Sequence, residues 1–452
     1  MASMNKRTKT AAARTHEGAV AAKIDKRQEL HRSVLATLLF EDQYYESGVS
    51  IAERIRQLTK EVPVDVATEL AIQARSEYNL RHAPLWILAS LYEQKSLSFG
   101  DRLLLRLAVE KVIQRPDELG ELVSMYWRDG KKPLPKQMRL GLAEAFKKFN
   151  AYQLAKYAGT NSKAITPRDV MFLTHPKPDN DEQRELFRMV ANRELPVPDT
   201  WETQLSAGGD KREVFVRLMN EGKLGALAFL RNLRNMEQAG VPLEAVHAYA
   251  QKVKTDRVLP FRFLSAAKAV PRWSHIIEEM MLRALSEVEP WQGHTAILVD
   301  NSGSMYGYRI SAKSDLERAD AACALAILVR GICSHATVIP FSYQPTVLQS
   351  HYRGLALRDA IQKTEIGGTD IAAAVLHANQ IGYDRIIILT DEQSVTPLPD
   401  PLVPPHKAFC INVASYQNGL GYRKWTHIDG FSEAIVQFMR AHENSQEISL
   451  GS

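Results

Sequence analysis

The chain has 452 residues, room for two or three domains each with its own core. Hydrophobic residues make up 45% and charged residues 24%, an ordinary globular balance, and no apolar run approaches the roughly 18 residues of a bilayer span, which sets a membrane role aside. The net charge of +5 is unevenly spread: residues 291–452 hold 12 basic and 15 acidic side chains and the rest hold 45 and 37, so the long N-terminal part is the one suited to a polyanion.

Residues 1–15 read as a flexible basic arm, without the apolar centre of a secretory signal. From about Arg27 to Glu287 the pattern is helical. Apolar residues recur at three- and four-residue spacing in His31–Phe40, Ser50–Val62, Val64–Tyr78, Leu85–Tyr92, Arg102–Ile113 and Glu118–Trp127. Breakers at Pro63, His82-Ala83-Pro84, Arg115-Pro116-Asp117 and Lys132–Pro135 separate them. Many short amphipathic helices in succession predict stacked helix pairs over 16–287. Val288–Gly293 reads as a domain joint.

Beyond the joint, over 292–445, the period changes. Strand-like runs at Ala296–Val299, Thr337–Phe341, Ile386–Leu389 and Ala408–Val413 alternate with helical runs at Asp315–Cys333, Leu355–Lys363, Thr369–Ile381 and Phe431–His442. That alternation predicts a doubly wound α/β domain with a mostly parallel sheet, whose binding edge is at the strand C-termini. Pro397–Pro405 reads as a surface connection between two strands. Cys323, Cys333 and Cys410 lack Cys-x-x-Cys spacing, which argues for reduced core thiols in a cytoplasmic setting and against a zinc site.

The first strand runs into Asp300-Asn-Ser302-Gly-Ser304, delivering one carboxylate and two hydroxyls onto a tight loop. Gly367-Gly368-Thr369-Asp370 opens a helical run, and Ile386–Leu389 leads to Thr390-Asp391. Hard oxygen donors on loops at one sheet edge suit a divalent cation of the magnesium class. Each residue alone has an ordinary alternative role in an Asx turn or helix cap. Taken together, Asp300, Ser302, Ser304, Thr369 and Asp391 resemble the metal-ion-dependent adhesion site of the von Willebrand factor A fold. A hydrolase with an aspartyl nucleophile wants a second carboxylate two residues on. Ser302 stands there instead, so the expectation is a non-enzymatic cation site with a position open for a partner's carboxylate.

Three segments of the helical part carry more than periodicity: Lys136–Tyr157, Arg168–Pro178, and Thr200–Glu213 followed by Leu227–Met236. With Leu259–Leu264 they resemble the TROVE domain, the RNA-binding module of the Ro ribonucleoprotein and its bacterial and phage relatives, in which a von Willebrand A domain follows. The resemblance covers roughly His16 to His442. It implies a ring of HEAT-like helical repeats closed by the A domain. Small Y-like non-coding RNA would bind outside the ring, and single-stranded 3′ ends of structured or misfolded RNA would enter its hole. It also implies a role in RNA quality control or stress-linked RNA metabolism, with a protein such as an exoribonuclease as a possible partner at the metal.

Lys156, Lys163, Arg168, His175 and Lys177 fall in the region resembling the family's Y-RNA contacts. Cations there suit phosphates, and His175 suits a base or a phosphate. The alternative is a solvated helix face, with His175 ending a helix before Pro176. On a helical wheel Ala226, Phe229, Leu230, Leu233 and Met236 form an apolar arc, and Arg231, Arg234 and Asn235 lie off it. The two arginines either line a hole and track a single strand or form a polar surface. Trp201 and Trp273 read as core residues. A metal-dependent protein scaffold without an RNA role is the rival reading of the whole chain.

Overall fold

The structure is a computed structural model that describes residues 14–15, 17–35, 47–158, 165–197, 199–255, 258, 260–286, 288–307, 316–414, 416, 418–430, 435–436, 438–440 and 442–444. The helical part begins with α1 (Lys26–Leu35), α2 (Gly48–Glu61), α3 (Val64–Ser76), α4 (His82–Tyr92), α5 (Phe99–Val112) and α6 (Pro116–Tyr126). It continues through α7 (Lys136–Phe146), α8 (Ala151–Lys156), α9 (Pro167–Thr174), α10 (Asp181–Asn192) and α11 (Trp201–Ser206). Then come α12 (Lys211–Asn220), α13 (Ala226–Gln238), α14 (Leu243–Lys252), α15 (Pro260–Ala269) and α16 (Ser274–Ser286).

These helices form where an apolar stripe meets a start signal. Ser47 accepts from the Ser50 amide to open α2, whose Ile51, Ala52, Ile55 and Leu58 are buried. Thr166 and Asp169 make a reciprocal capping box around Pro167 at the start of α9. One expected breaker is corrected: His82-Ala83-Pro84 forms the first turn of α4. A proline is harmless there because a first-turn amide has no intrahelical acceptor. Residues 36–40 of the helix expected over His31–Phe40 lie outside the described residues.

The sheet contains β1 (Trp291–Asp300), β2 (Cys333–Phe341), β3 (Arg385–Thr390), β4 (Ala408–Asn412) and β5 (Thr426–Asp429). All pairs are parallel, in the order β2-β1-β3-β4-β5. Helix α17 (Arg318–Ile332) links β1 to β2, and α18 (Gly354–Gln362) and α19 (Ile371–Ile381) lie between β2 and β3. Strand residues alternate between two cores. Ile297, Val299, Ile387, Leu389, Phe409 and Ile411 join the core containing α17 and the helical part. Ala296, Leu298, Ile386, Ile388, Ala408 and Cys410 pack with Ile371, Ala374, Val375 and Ala378 of α19. Both faces are thus covered, as a parallel sheet requires. All three cysteines are buried free thiols.

The two parts meet at both ends of the helical part. Helices α15 and α16 pack on α17, and α1 packs on β5. Lys268 of α15 bonds Asp320 of α17 at 2.6 Å. At the other end Thr15 donates to the Ser394 carbonyl (2.8 Å) and the Ala22 amide to the Gly419 carbonyl (2.8 Å). The helical part thus contacts the sheet and its helices through α15 and α16 at one end and through α1 at the other.

Candidate metal centre and nucleic-acid interface

Asp300 is the last residue of β1, and Asp391 follows the last residue of the adjacent β3. Strand order reverses there, since β2 lies to one side of β1 and β3 to the other. Loops leaving neighbouring strands in opposite directions open a crevice at the C-terminal edge. Four loops are tied together at this crevice. The Gly303 amide donates to the Gly367 carbonyl (2.8 Å), and the Asp370 amide to the Ser342 carbonyl (2.8 Å). The Val395 amide and the Ser394 hydroxyl both donate to the Thr369 carbonyl, at 3.0 and 2.9 Å. Gly367 and Gly368 permit this approach: a Cβ on Gly368 would meet the Tyr343 hydroxyl at 2.5 Å.

Within the crevice Asp300 Oδ1 accepts from the Ser302 amide (2.9 Å) and Oδ2 from the Thr390 hydroxyl (2.6 Å). The Ser302 and Ser304 hydroxyls are 3.2 Å apart. Asp300, Ser302, Thr369 and Asp391 are all buried. Burial, with the Asp391 charge added, pushes the Asp300 carboxyl up to about 7. Its two hydrogen bonds oppose that rise without cancelling it.

One residue had no signal in the sequence reading: Arg318, the first of α17, is buried with Nη1 3.4 Å from Asp391 Oδ2. It sets one fixed positive charge against two carboxylates. The donors are otherwise carboxylate and hydroxyl oxygens, with no sulfur or imidazole among those named, so the site fits a hard divalent cation such as magnesium. Asp300, Ser302, Ser304, Thr369 and Asp391 are the residues that would hold it.

The RNA candidates fall in two places. Arg168 and Phe172 share one side of α9 at positions i and i+4, with the Arg168 guanidinium over the Phe172 ring at 4.8 Å. Phe172 is 49% exposed, a large apolar ring left at the surface beside a cation. The sequence reading missed it, although an aromatic four residues after Arg168 was visible. Arg168 also donates from Nε to the Ala191 carbonyl (2.8 Å), so it ties α9 to α10. His175 ends α9 in the left-handed region (φ 50, ψ 61) and is exposed, as is Lys177. Lys156, the last residue of α8, lies 3.9 Å from Glu202 in a long ion pair. Lys163 lies outside the described residues.

Arg231 and Arg234 are exposed on α13, while Ala226, Phe229, Leu230, Leu233 and Met236 are buried, as the wheel predicts. Asn232 is buried as well, its amide donating to the Ala228 carbonyl (2.9 Å) and its carbonyl accepting from Asn235 (2.9 Å). Helix α15 packs on α13 and brings Arg262 beside Arg231. Burial first, and then the Arg231 charge, hold the Arg262 guanidinium below its ordinary value. Two cations thus stand close together on neighbouring helices. Trp273 is buried in the core and Trp201 packs partly against it.

Comparison with known proteins places these features. The TROVE domain family matches residues 188–321, from α10 to the start of α17. Mouse telomerase protein component 1 is 32% identical over 120 residues, 25% of this chain and 4% of that protein. The rat protein of the same name is 32% identical over 124 residues, 26% of this chain and again 4% of the relative. The similarity to these much longer proteins is thus confined to a short stretch. In fold, the chain is similar to the Deinococcus radiodurans RO (RSR) protein with a TM-score of 0.60 and 18% identity, covering 93% of this chain and all of that one.

Proposed function

We propose that this TROVE-domain protein, which shares the fold of the Deinococcus Ro protein, binds RNA in the manner of a Ro ribonucleoprotein. The observation that carries the reading is the arginine cluster of Arg231, Arg234 and Arg262 on α13 and α15, inside the TROVE-matched stretch. Residues 16–287 are read as a ring of HEAT-like repeats. Residues 292–445 are read as a von Willebrand A-like domain that closes it, in keeping with the contacts of α15 and α16 with α17 and of α1 with β5. Single-stranded 3′ ends of structured or misfolded RNA enter past the arginine cluster. A small Y-like RNA lies on the outer face of α9, where Phe172 and His175 offer stacking surfaces and Arg168 and Lys177 meet phosphates. Affinity comes chiefly from phosphate neutralisation and falls steeply with salt.

In this reading the protein is cytoplasmic, acts in RNA quality control or stress-linked RNA metabolism, and is not an enzyme. Among the described residues, no helix is long and apolar enough to cross a membrane. Asp300, Ser302, Ser304, Thr369 and Asp391 hold a magnesium-class cation, and a carboxylate from a protein partner such as an exoribonuclease completes its shell. The test is binding of one structured RNA, with and without a single-stranded 3′ tail, across a salt series. Tail-dependent binding that drops when Arg231 and Arg234 are changed to Glu supports end capture. Equal, weak binding of both RNAs, insensitive to those changes, moves the assignment to a metal-dependent protein scaffold without an RNA role.

A further inference from the structure

A cleft of about 540 Å³ opens between the α12–α13 connection and α14, within the range of small-ligand sites. One wall is backbone. Gly222 and Gly225 line it, Gly222 with φ +66, and a Cβ on either would meet nothing within 4 Å. The opposite wall carries the small side chains Ala245 and Ala248 and the ring of Tyr249. Small residues on both sides of an aromatic ring leave a slot that a flat group can enter.

The ring is held in place. The Tyr249 hydroxyl donates to the Leu224 carbonyl, and buried Phe229 meets the ring edge-on at a centroid distance of 5.3 Å and 61°. An aromatic platform fixed this way stacks a base with little further loss of side-chain freedom.

Two cations stand at the cleft. Lys252 and Lys254 line it and are exposed. Nearby Lys223 and Arg217 are committed to Asp199 and Glu221 at 2.8–3.2 Å, but among the described residues neither Lys252 nor Lys254 meets a carboxylate. The negative end of α14 is already satisfied. Arg283 donates to the carbonyls of Ala250, Gln251 and Val253 at 2.9, 2.9 and 3.1 Å. The lysines are therefore available to an incoming anion, and the segment carrying them is fixed.

We propose that this cleft is a single-nucleotide site, with the base stacked on Tyr249 and its phosphate held by Lys252 and Lys254. A ring-shaped slot beside an aromatic face, with two cations that meet no carboxylate among the described residues, matches the chemistry of a nucleotide. The same chemistry is offered by a free mononucleotide and by one nucleotide of a single-stranded RNA. The cleft opens to the surface, and the N-terminal part that contains it carries the chain's positive excess, so the strand is the expected source. In that form the inference rests on the RNA-binding reading and adds a subsite to it.

The experiment uses the full chain and two probes: a labelled single-stranded 12-nucleotide RNA read by anisotropy, and AMP and UMP read by calorimetry. Ala248→Trp fills the slot from an exposed helix position, and the Lys252→Ala/Lys254→Ala double variant removes the charge. Circular dichroism checks their folding. A 4-thiouridine-substituted strand, cross-linked to the unaltered protein and mapped by mass spectrometry, gives a readout that needs no variant. The expected result is an RNA affinity about tenfold weaker in each variant, the loss of one stacked base or its phosphate contacts, with the cross-link on the Tyr249 peptide. If RNA binding responds to Arg231→Glu/Arg234→Glu but not to either cleft variant, and no cross-link maps to α14, the cleft site is overturned and the RNA-binding reading stands. If AMP or UMP binds and the cleft variants abolish it while the RNA does not bind, the site stands for a free nucleotide and the RNA-binding reading falls. Absence of binding by every probe overturns both.

Discussion

The Arg32 guanidinium of α1 makes a buried ion pair with Glu392, which directly follows Asp391 at the sheet edge. The pair joins residues near opposite ends of the chain, and both side chains are fully buried. Arg32 also donates to the carbonyls of Tyr416 (2.5 Å) and Asn418 (3.2 Å). His427 Nε2 lies 3.2 Å from Glu392 and its Nδ1 lies 3.5 Å from Asp429. A charge taken this far from water is tolerated only when its partners are all present. Arg32→Met therefore leaves Glu392 buried without its main partner and is expected to cost about 3–5 kcal/mol, measured by urea unfolding. Adding Glu392→Leu recovers most of that loss. A loss in the double variant equal to the sum of the two single losses would show that the two residues are not coupled.

The same cluster predicts a pH optimum for stability. Burial acts to raise the Glu392 carboxyl, but the Arg32 and His427 charges outweigh it and hold Glu392 well below the usual carboxylate range. Its stabilisation is therefore present above the unfolded value near 4.3 and is lost as pH falls below it. For His427 burial acts downward, and Asp429 and Glu392 outweigh it, so its pKa is raised from 6.5. That stabilisation is complete below 6.5 and is lost as pH rises through the folded value. The stabilisation contributed by this cluster should then be greatest between roughly pH 5 and 6.5, read as the difference in thermal midpoint between the unaltered protein and its cluster variants. His427→Phe should flatten the alkaline side of that peak and leave on the acid side only the part that Arg32 supplies to Glu392.

Asp300 gives the opposite sign. Its carboxyl is pushed up to about 7 by burial and Asp391, so between about pH 4 and 7 the folded chain holds a proton that the unfolded chain has released. Without a bound cation this group favours folding at low pH, and that contribution is lost as pH rises through the window. Magnesium competes with the proton. Calorimetry is expected to show affinity falling about tenfold per unit below pH 7. Asp300→Asn should abolish cation binding while RNA affinity stays within about twofold of the unaltered protein. RNA binding lost together with the cation would join the two sites.

Gly120 of α6 faces the carbonyl of Ile165, just ahead of α9, and a Cβ there would lie 1.8 Å from that oxygen. Gly120→Ala must push the α9 entry away from α6, and about 1–3 kcal/mol of stability is expected to go with it. Because α9 carries Arg168, Phe172 and His175, the same change should weaken RNA binding at the outer face and spare binding through Arg231 and Arg234. A thermal melt and paired binding curves check both effects.

What the sequence determined by itself is local and periodic. The strand runs ending in Asp300 and leading to Asp391, the Asp-x-Ser-x-Ser loop, and the apolar arc of α13 are written in residues close together in the chain. Neighbours three or four apart share a helix face and alternate residues share a sheet face, whatever the rest of the molecule does. Only the tertiary structure decided which distant groups meet. Arg318 is an ordinary helix-start residue until α17 docks beside β3 and turns it toward Asp391. Arg262 gains its meaning from α15 packing on α13. The edge strand Thr426–Asp429, four residues of which three are polar, has too short a period to read. Its role is to carry His427 and Asp429 to Arg32. That pairing joins residues hundreds of positions apart, and no local pattern encodes a contact of that separation.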